Sequence, residues 1–360
     1  MARLFGRNIS RNELVQYVGS MAQVCGATPY VLSDGKAAGA RGISVRTGSG
    51  LDFTVLPDRA LDIPFASYKG RPLCHVTKTG VVSSVYYEPE EDGWLRSFFA
   101  GLLTTCGLSN TGAFCEVDGE KFGLHGRISN IPAQQVNIHE TWNDDELEIE
   151  ISGSMREAVF FGENLLLVRR ISARMGEKRF FIHDRVENQG FSRVPLFLLY
   201  HFNIGFPLLD ENAELLLNSA NTDFFNDAAR NGANDMYRFQ GPTHHYAQHI
   251  FFHTLRQDSN GRTMAALVNQ RLEGSPLGLY LQFDRSQLPE FSVFKMMGQG
   301  DYELGLEPGN CLPMGRAFEK ERGAWQFIEP QSARSFDLEV GVLEGEEEIA
   351  RVEGSIRSLQ

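Results

Sequence analysis

The sequence contains no basic run or basic stripe, and its charge balance is negative: 46 acidic against 34 basic residues give a formal net charge of −12. That excludes the electrostatic footprint of a nucleic-acid binder and gives no general attraction to an anionic membrane. No stretch approaches the ~20 apolar residues of a membrane span. Residues 1–20 mix charged with apolar side chains and lack the hydrophobic centre of a signal peptide. The five cysteines, Cys25, Cys74, Cys106, Cys115 and Cys311, are odd in number, and no pair has the spacing of a zinc knuckle or redox motif. Free thiols in a reducing compartment follow, and a cytoplasmic location is expected. A P-loop, a nucleophile elbow and a dinucleotide fingerprint are also missing; Gly298-Gln299-Gly300 lacks a third glycine and a following helix. With no repeat, linker or low-complexity block, a single domain over residues 1–360 is expected.

What is present is a pattern of strands. Phenylalanine is abundant, at 26 residues against 3 tryptophans, and recurs in pairs such as Phe98-Phe99 and Phe180-Phe181. Such side chains fill the thickness between facing sheets. Residues 39–46 and 51–55 read as a hairpin, and residues 165–171 and 179–186 as a second one. Strands are also expected at 147–151, 277–283, 292–296 and 335–342. Turns arrive about every ten residues, which favours an all-β class of large antiparallel sheets. Helical periodicity is confined to residues 8–18, capped by Ser10 or Asn12 within an N-terminal extension, and to residues 91–103, where Trp94, Phe98 and Leu102 read as a core stripe. The acidic residues from 344 onward read as a solvated tail, 344–360.

Three polar stations interrupt apolar surroundings. In Tyr302 to Asn310, alternation puts Glu303 and Glu307 on one face of a strand that Pro308-Gly309-Asn310 ends. A carboxylate so held is placed for proton transfer. In Leu196 to Gly205, His201 and Asn203 share one face of a run too apolar to lie outside the core, so they need partners. In Phe122 to Arg127, glycines flank His125 and leave it and Arg127 reachable. Further candidates are Asp58-Arg59 to Asp62-Ile63, where charges follow a strand and a simple salt-bridged turn is the alternative, and Lys295, which either snorkels to solvent or points into a site. His245, His249 and His253 share a face in either a helix or a strand. They suggest a metal, although that segment holds no acidic ligand.

Leu-His-Gly-Arg, then Leu-Tyr-His-Phe-Asn, then Gly-Leu-Glu-Pro-Gly-Asn, in that order, resemble the aldose 1-epimerase (galactose mutarotase-like) superfamily. More narrowly, the chain resembles its branch grouped as domain of unknown function 4432, over about residues 51–342. The resemblance implies a β-supersandwich and a sugar mutarotase that needs no cofactor and no metal. It implies His201 as general acid and Glu307 as general base, with His125 binding sugar hydroxyls. Arg59, Asp62, Arg127, Asn203, Lys295 and Asn310 complete the expected substrate-binding set. Glu307 beside His201 should keep both charged. The Asn-Arg pair that galactose mutarotases carry early in the chain has no placed counterpart. Arg59, Arg127 and Lys295 instead suggest a phosphorylated or carboxylated sugar, unless they pair with Asp58, Asp62 or Glu303. The expected partner is a small carbohydrate, with a homodimer left open. Two other readings stand beside it: a non-catalytic carbohydrate-binding or regulatory protein, and a metal-dependent isomerase using residues 244–253.

Overall fold

A computed structural model describes residues 2–272 and 274–360. Three antiparallel sheets carry the architecture. An eight-stranded sheet runs in the order Gln134–Asn143, Glu146–Ala158, Asn164–Arg174, Arg179–Asn188, Ala333–Glu344, Leu277–Asp284, Arg262–Asn269, Ala213–Leu216. A six-stranded sheet runs Ser219–Phe224, His249–Leu255, Glu290–Met297, Tyr302–Gly309, Phe197–Ile204, Thr104–Leu108. A five-stranded sheet is formed by Gly26–Val31, Arg41–Arg46, Leu51–Leu56, Asp62–Tyr68 and Arg71–Pro72. Helices are few and short. This is the all-β arrangement that the turn spacing implies, and the hairpins expected at 39–55 and 165–186 form.

One continuous apolar cluster joins the sheets. It takes alternate residues of each strand, as the pleat requires: Leu198, Tyr200, Phe202 and Ile204 from one central strand, and Tyr302, Leu304 and Leu306 from its neighbour. A buried polar network crosses the same space. Arg169 of the large sheet grips Asp184 through two nitrogens, at 2.7 and 2.9 Å, and reaches Asp62 of the five-stranded sheet at 3.0 Å. Asp62 also accepts from the backbone and hydroxyl of Thr105, and Tyr200 donates to Asp184 at 2.8 Å. Thr105 and Tyr200 both belong to the six-stranded sheet. Buried charges persist only when paired in this way.

Three local expectations need correction. The helix expected at 91–103 is a single tight turn, Gly93–Arg96. The N-terminal extension is a small hairpin, Ala2–Leu4 with Arg7–Ile9, before a one-turn helix, Arg11–Leu14, whose cap is Ser10 in a reciprocal bond with Glu13. The acidic C-terminus is a helix, Glu346–Arg357. Its Ile349, Val352 and Ile356 pack on Ala266, Val268 and Leu343. The acidic run at its start complements the positive end of the helix dipole, and Glu348 binds Lys178 at 2.6 Å.

Candidate active site

Two adjacent inner strands of the six-stranded sheet, Phe197–Ile204 and Tyr302–Gly309, are buried along their whole length. One face of each feeds the core. The other face carries Leu199, His201 and Asn203 on Phe197–Ile204, and Glu303, Gly305 and Glu307 on Tyr302–Gly309. Register aligns them: Asn203 stands opposite Gly305, and Glu307 opposite Ser292. His201 Nε2 lies 3.2 Å from Glu307 Oε1. Gly305 is what lets the pair lie down against the sheet. A Cβ there would stand 2.8 Å from Glu307 Oε1, 2.9 Å from Phe294 Cβ and 3.1 Å from His201 Cε1.

Aromatic rings close over the pair. Phe98 meets the His201 ring edge-on at 5.6 Å, Phe294 lies at 6.2 Å, and His125 stands at 5.8 Å. Trp94 stacks on Phe98 at 4.5 Å and covers His125 at 4.6 Å. His125 is partly buried and sits in the left-handed backbone region, φ +55°. Its Nδ1 accepts from the backbone N–H of Gly112 at 3.2 Å. That bond fixes the tautomer with the proton on Nε2, so the ring presents a donor. Burial and the neighbouring His201 push His125 down to about 3, which keeps it neutral.

Burial also sets the protonation of the pair. It pushes His201 down to about 4, against a small upward pull from the Asn203 amide. It pushes Glu307 up to about 8, and the charge of Glu303 adds to that rise. The expectation that each partner keeps the other charged is therefore corrected. Burial works against the charged form of both groups and so favours the neutral pair, carboxylic acid with imidazole, as the resting form. Between about pH 4 and 8 the two groups hold one proton between them.

Unpartnered polar atoms gather on the same face. Among the described residues, eight buried side-chain nitrogens or oxygens lack a hydrogen bond. Four of them are His201 Nδ1, Asn203 Oδ1, Ser292 Oγ and Glu303 Oε2. Buried polar groups are normally satisfied, so this concentration marks where a polar ligand would be bound.

Several residues assigned to substrate by sequence lie elsewhere. Arg59 is fully buried and spends its guanidinium on the carbonyls of Ser129, Val82 and Ser97, at 2.6, 2.7 and 3.0 Å. Asp62 belongs to the Arg169 network. Lys295 points away from the Glu307 face and donates to the carbonyls of Asp235 and Arg238. Asn310 clamps the strand beside it, accepting from Leu198 N and donating to Leu196 O. Arg127 is exposed. In the histidine-rich segment, His249 meets Tyr246 and His253 meets Thr222. Among the described residues no group of three or more potential ligands is placed to hold a metal. Trp94 and Phe98 are buried in an apolar cluster, as the core-stripe reading expects; what sequence reasoning missed is that they also cover the pair, since no local pattern says that His125 will lie beneath Trp94.

A family model described as "Domain of unknown function (DUF4432)" matches residues 37–342. The chain belongs to the DUF4432 family. No curated protein matches the sequence significantly. Among solved structures, one described as a "putative aldose 1-epimerase" from Klebsiella pneumoniae is similar with a TM-score of 0.88 and 26% identity. The match covers 94% of this chain and 90% of that one. A galactose mutarotase-like protein from Clostridium acetobutylicum gives a TM-score of 0.60 at 13% identity, covering 89% and 99% of the two chains. The galactose 1-epimerase of Lactobacillus acidophilus gives 0.56 at 12% identity, covering 89% and 100%. The last two establish a shared fold, and this DUF4432 protein is a β-supersandwich of the galactose mutarotase-like type.

Proposed function

We propose that this DUF4432 protein is a sugar mutarotase that works by general acid–base catalysis, with His201 and Glu307 as the reacting groups. The observation that carries the reading is the 3.2 Å approach of His201 Nε2 to Glu307 Oε1 within a face of unpartnered polar atoms. In the resting pair Glu307 holds the proton. It gives that proton to the ring oxygen while His201 Nε2 takes the proton of the anomeric hydroxyl. The bond between the anomeric carbon and the ring oxygen breaks, and an open-chain aldehyde forms. The carbonyl turns about its bond to the next carbon. Closure on its other face runs the two transfers in reverse and restores the pair. Each transfer contributes roughly 10²–10⁴-fold. The resemblance assigns the opposite starting roles; burial favours Glu307 as the first donor and His201 as the first acceptor, and both groups serve in both roles over a cycle.

The sugar is uncharged in this reading. Glu303 and Glu307 share the binding face, where burial, with a further contribution from Glu303, raises Glu307. Of the three cations that suggested a phosphorylated or carboxylated sugar, Arg59 and Lys295 are committed to backbone carbonyls. An anionic group on this face would have neither of those cations to pair with.

Magnetisation-transfer NMR on a panel of aldoses, with their phosphates as a comparison, tests this. Acceleration of anomer exchange on a neutral sugar is expected, with loss of roughly 10²-fold or more in Glu307→Gln and His201→Asn. Exchange at the buffer rate with every sugar, while a sugar still raises the melting temperature, would replace catalysis by carbohydrate binding.

A further inference from the structure

We infer that Glu303 is a specificity-determining residue, a second carboxyl that holds a hydroxyl on the far side of the sugar ring. This rests on the mutarotase reading of the same face.

Glu303 and Glu307 lie on the same side of one strand with only Gly305 between them on that side. At a rise of about 3.4 Å per residue their Cα atoms stand roughly 13–14 Å apart. Glu307 bends back along the strand, because its Oε1 occupies the space above Gly305. The reacting groups fill the space above Gly305, so a ring bound by its anomeric end at His201 and Glu307 starts above that position and extends along the strand toward Glu303. There Glu303 is 7% exposed, and its Oε2 has no partner.

A buried carboxyl of this kind needs an explanation, because an aliphatic side chain would fill the position at lower cost. Structural use does not supply one. Among the described residues no cation pairs with Glu303, and its cross-strand neighbour is Met296. Asp301, the nearest charged influence, raises the Glu303 pKa further and is itself bound to Lys78 at 2.8 Å. Burial and Asp301 push Glu303 up to about 8, so at neutral pH it is a neutral acid that can both donate and accept. A sugar hydroxyl has the same dual character, and a carboxylic acid can meet it with two reciprocal bonds. Asn203, opposite Gly305, contributes a further unpartnered acceptor between the two carboxyls.

The test compares the sugar that wild type accepts with its monodeoxy analogues, using Glu303→Ala and Glu303→Gln. Wild type is expected to reject one deoxy analogue by roughly 10-fold or more in KM. Glu303→Ala is expected to accept that analogue and the parent sugar about equally, by raising KM for the parent while kcat changes less. Glu303→Gln keeps the shape and part of the bonding, so it should fall between the two; it carries the test alone if Glu303→Ala does not fold. Unchanged discrimination in a folded variant overturns the inference. Binding to the Glu307→Gln protein, measured by calorimetry with the same sugars, separates the two proposals. Discrimination there that depends on Glu303 sustains this inference even if no anomer exchange occurs, and sugar binding without such dependence overturns it. Failure of every sugar to bind overturns both.

Discussion

Replacing Gly305 by alanine adds one methyl group at the point where the reacting pair meets the sheet. Ordinary contact for a Cβ begins at 3.4 Å, and the new atom would stand 2.8 Å from Glu307 Oε1 and 3.1 Å from His201 Cε1. Relief therefore needs about 0.6 Å from the carboxylate and about 0.3 Å from the imidazole, on the close-packing argument. The third neighbour, Phe294 Cβ at 2.9 Å, is fixed directly to a neighbouring strand and gives way least. The displacement thus falls on the two groups that must stay aligned. A misplacement of about 1 Å costs on the order of 10²-fold in rate, so a loss of roughly 10- to 100-fold in kcat/KM is expected. Overpacking by one carbon should lower stability by only about 1–3 kcal/mol, leaving the protein folded at about 25 °C. Anomer exchange and a urea unfolding curve on the same preparation separate the two effects. A Gly305→Ala protein exchanging anomers within twofold of wild type would refute the geometry argued for the pair.

The pH dependence follows from the single shared proton. Below about pH 4, His201 is protonated beside a protonated Glu307 and no acceptor remains; above about pH 8, Glu307 has lost its proton beside a neutral His201 and no donor remains. A bell-shaped kcat/KM profile with limbs near those values is expected, and Glu303→Gln should move the alkaline limb to lower pH by removing the charge that helps raise Glu307. A flat profile from about pH 4 to 9 would exclude this pair as the acid and base. Arg169→Met should destabilise the protein by about 3–5 kcal/mol in urea unfolding, because it strands Asp62 and Asp184 in the interior. A change below about 1 kcal/mol would mean that the network contributes little.

That His201 and Glu307 would share a buried face was legible for a simple reason. Period-two alternation fixes which residues share a strand face, and a histidine or glutamate inside an apolar run has to be explained. The sheets were legible from turn spacing for a related reason. Arg59 was not, because its three acceptors come from residues 82, 97 and 129, and nothing local foretells their convergence. Lys295 and Asn310 misled in the same way: each carries a group suited to a ligand, and each is consumed by backbone groups that only the fold brings near. The segment 91–103 has helical spacing, yet its rings are drawn to cover His125 and His201, and tertiary packing overrides the local pattern. The protonation of the pair could not be read from adjacency alone, since proximity argues for two charges and enclosure argues for none. The C-terminal helix, by contrast, was readable. Ile349, Val352 and Ile356 recur at helical spacing beneath the acidic run that drew attention away from them.

His201 and Glu307 ride on strands with hydrogen-bonded neighbours on both sides, whereas Trp94, Phe98 and His125 belong to irregular chain draped across them. The proposed acid and base thus sit on regular ladder together with Glu303, while the rings that cover them sit on irregular chain. The sheet tolerates little change, as Gly305 illustrates, and the covering chain is tied to it, since His125 and Arg127 bond through their backbones to Gly107 of strand Thr104–Leu108. Under the proposed function, a change of sugar would be written in the covering rings and at position 303, with Gly305 and the pair left as they are.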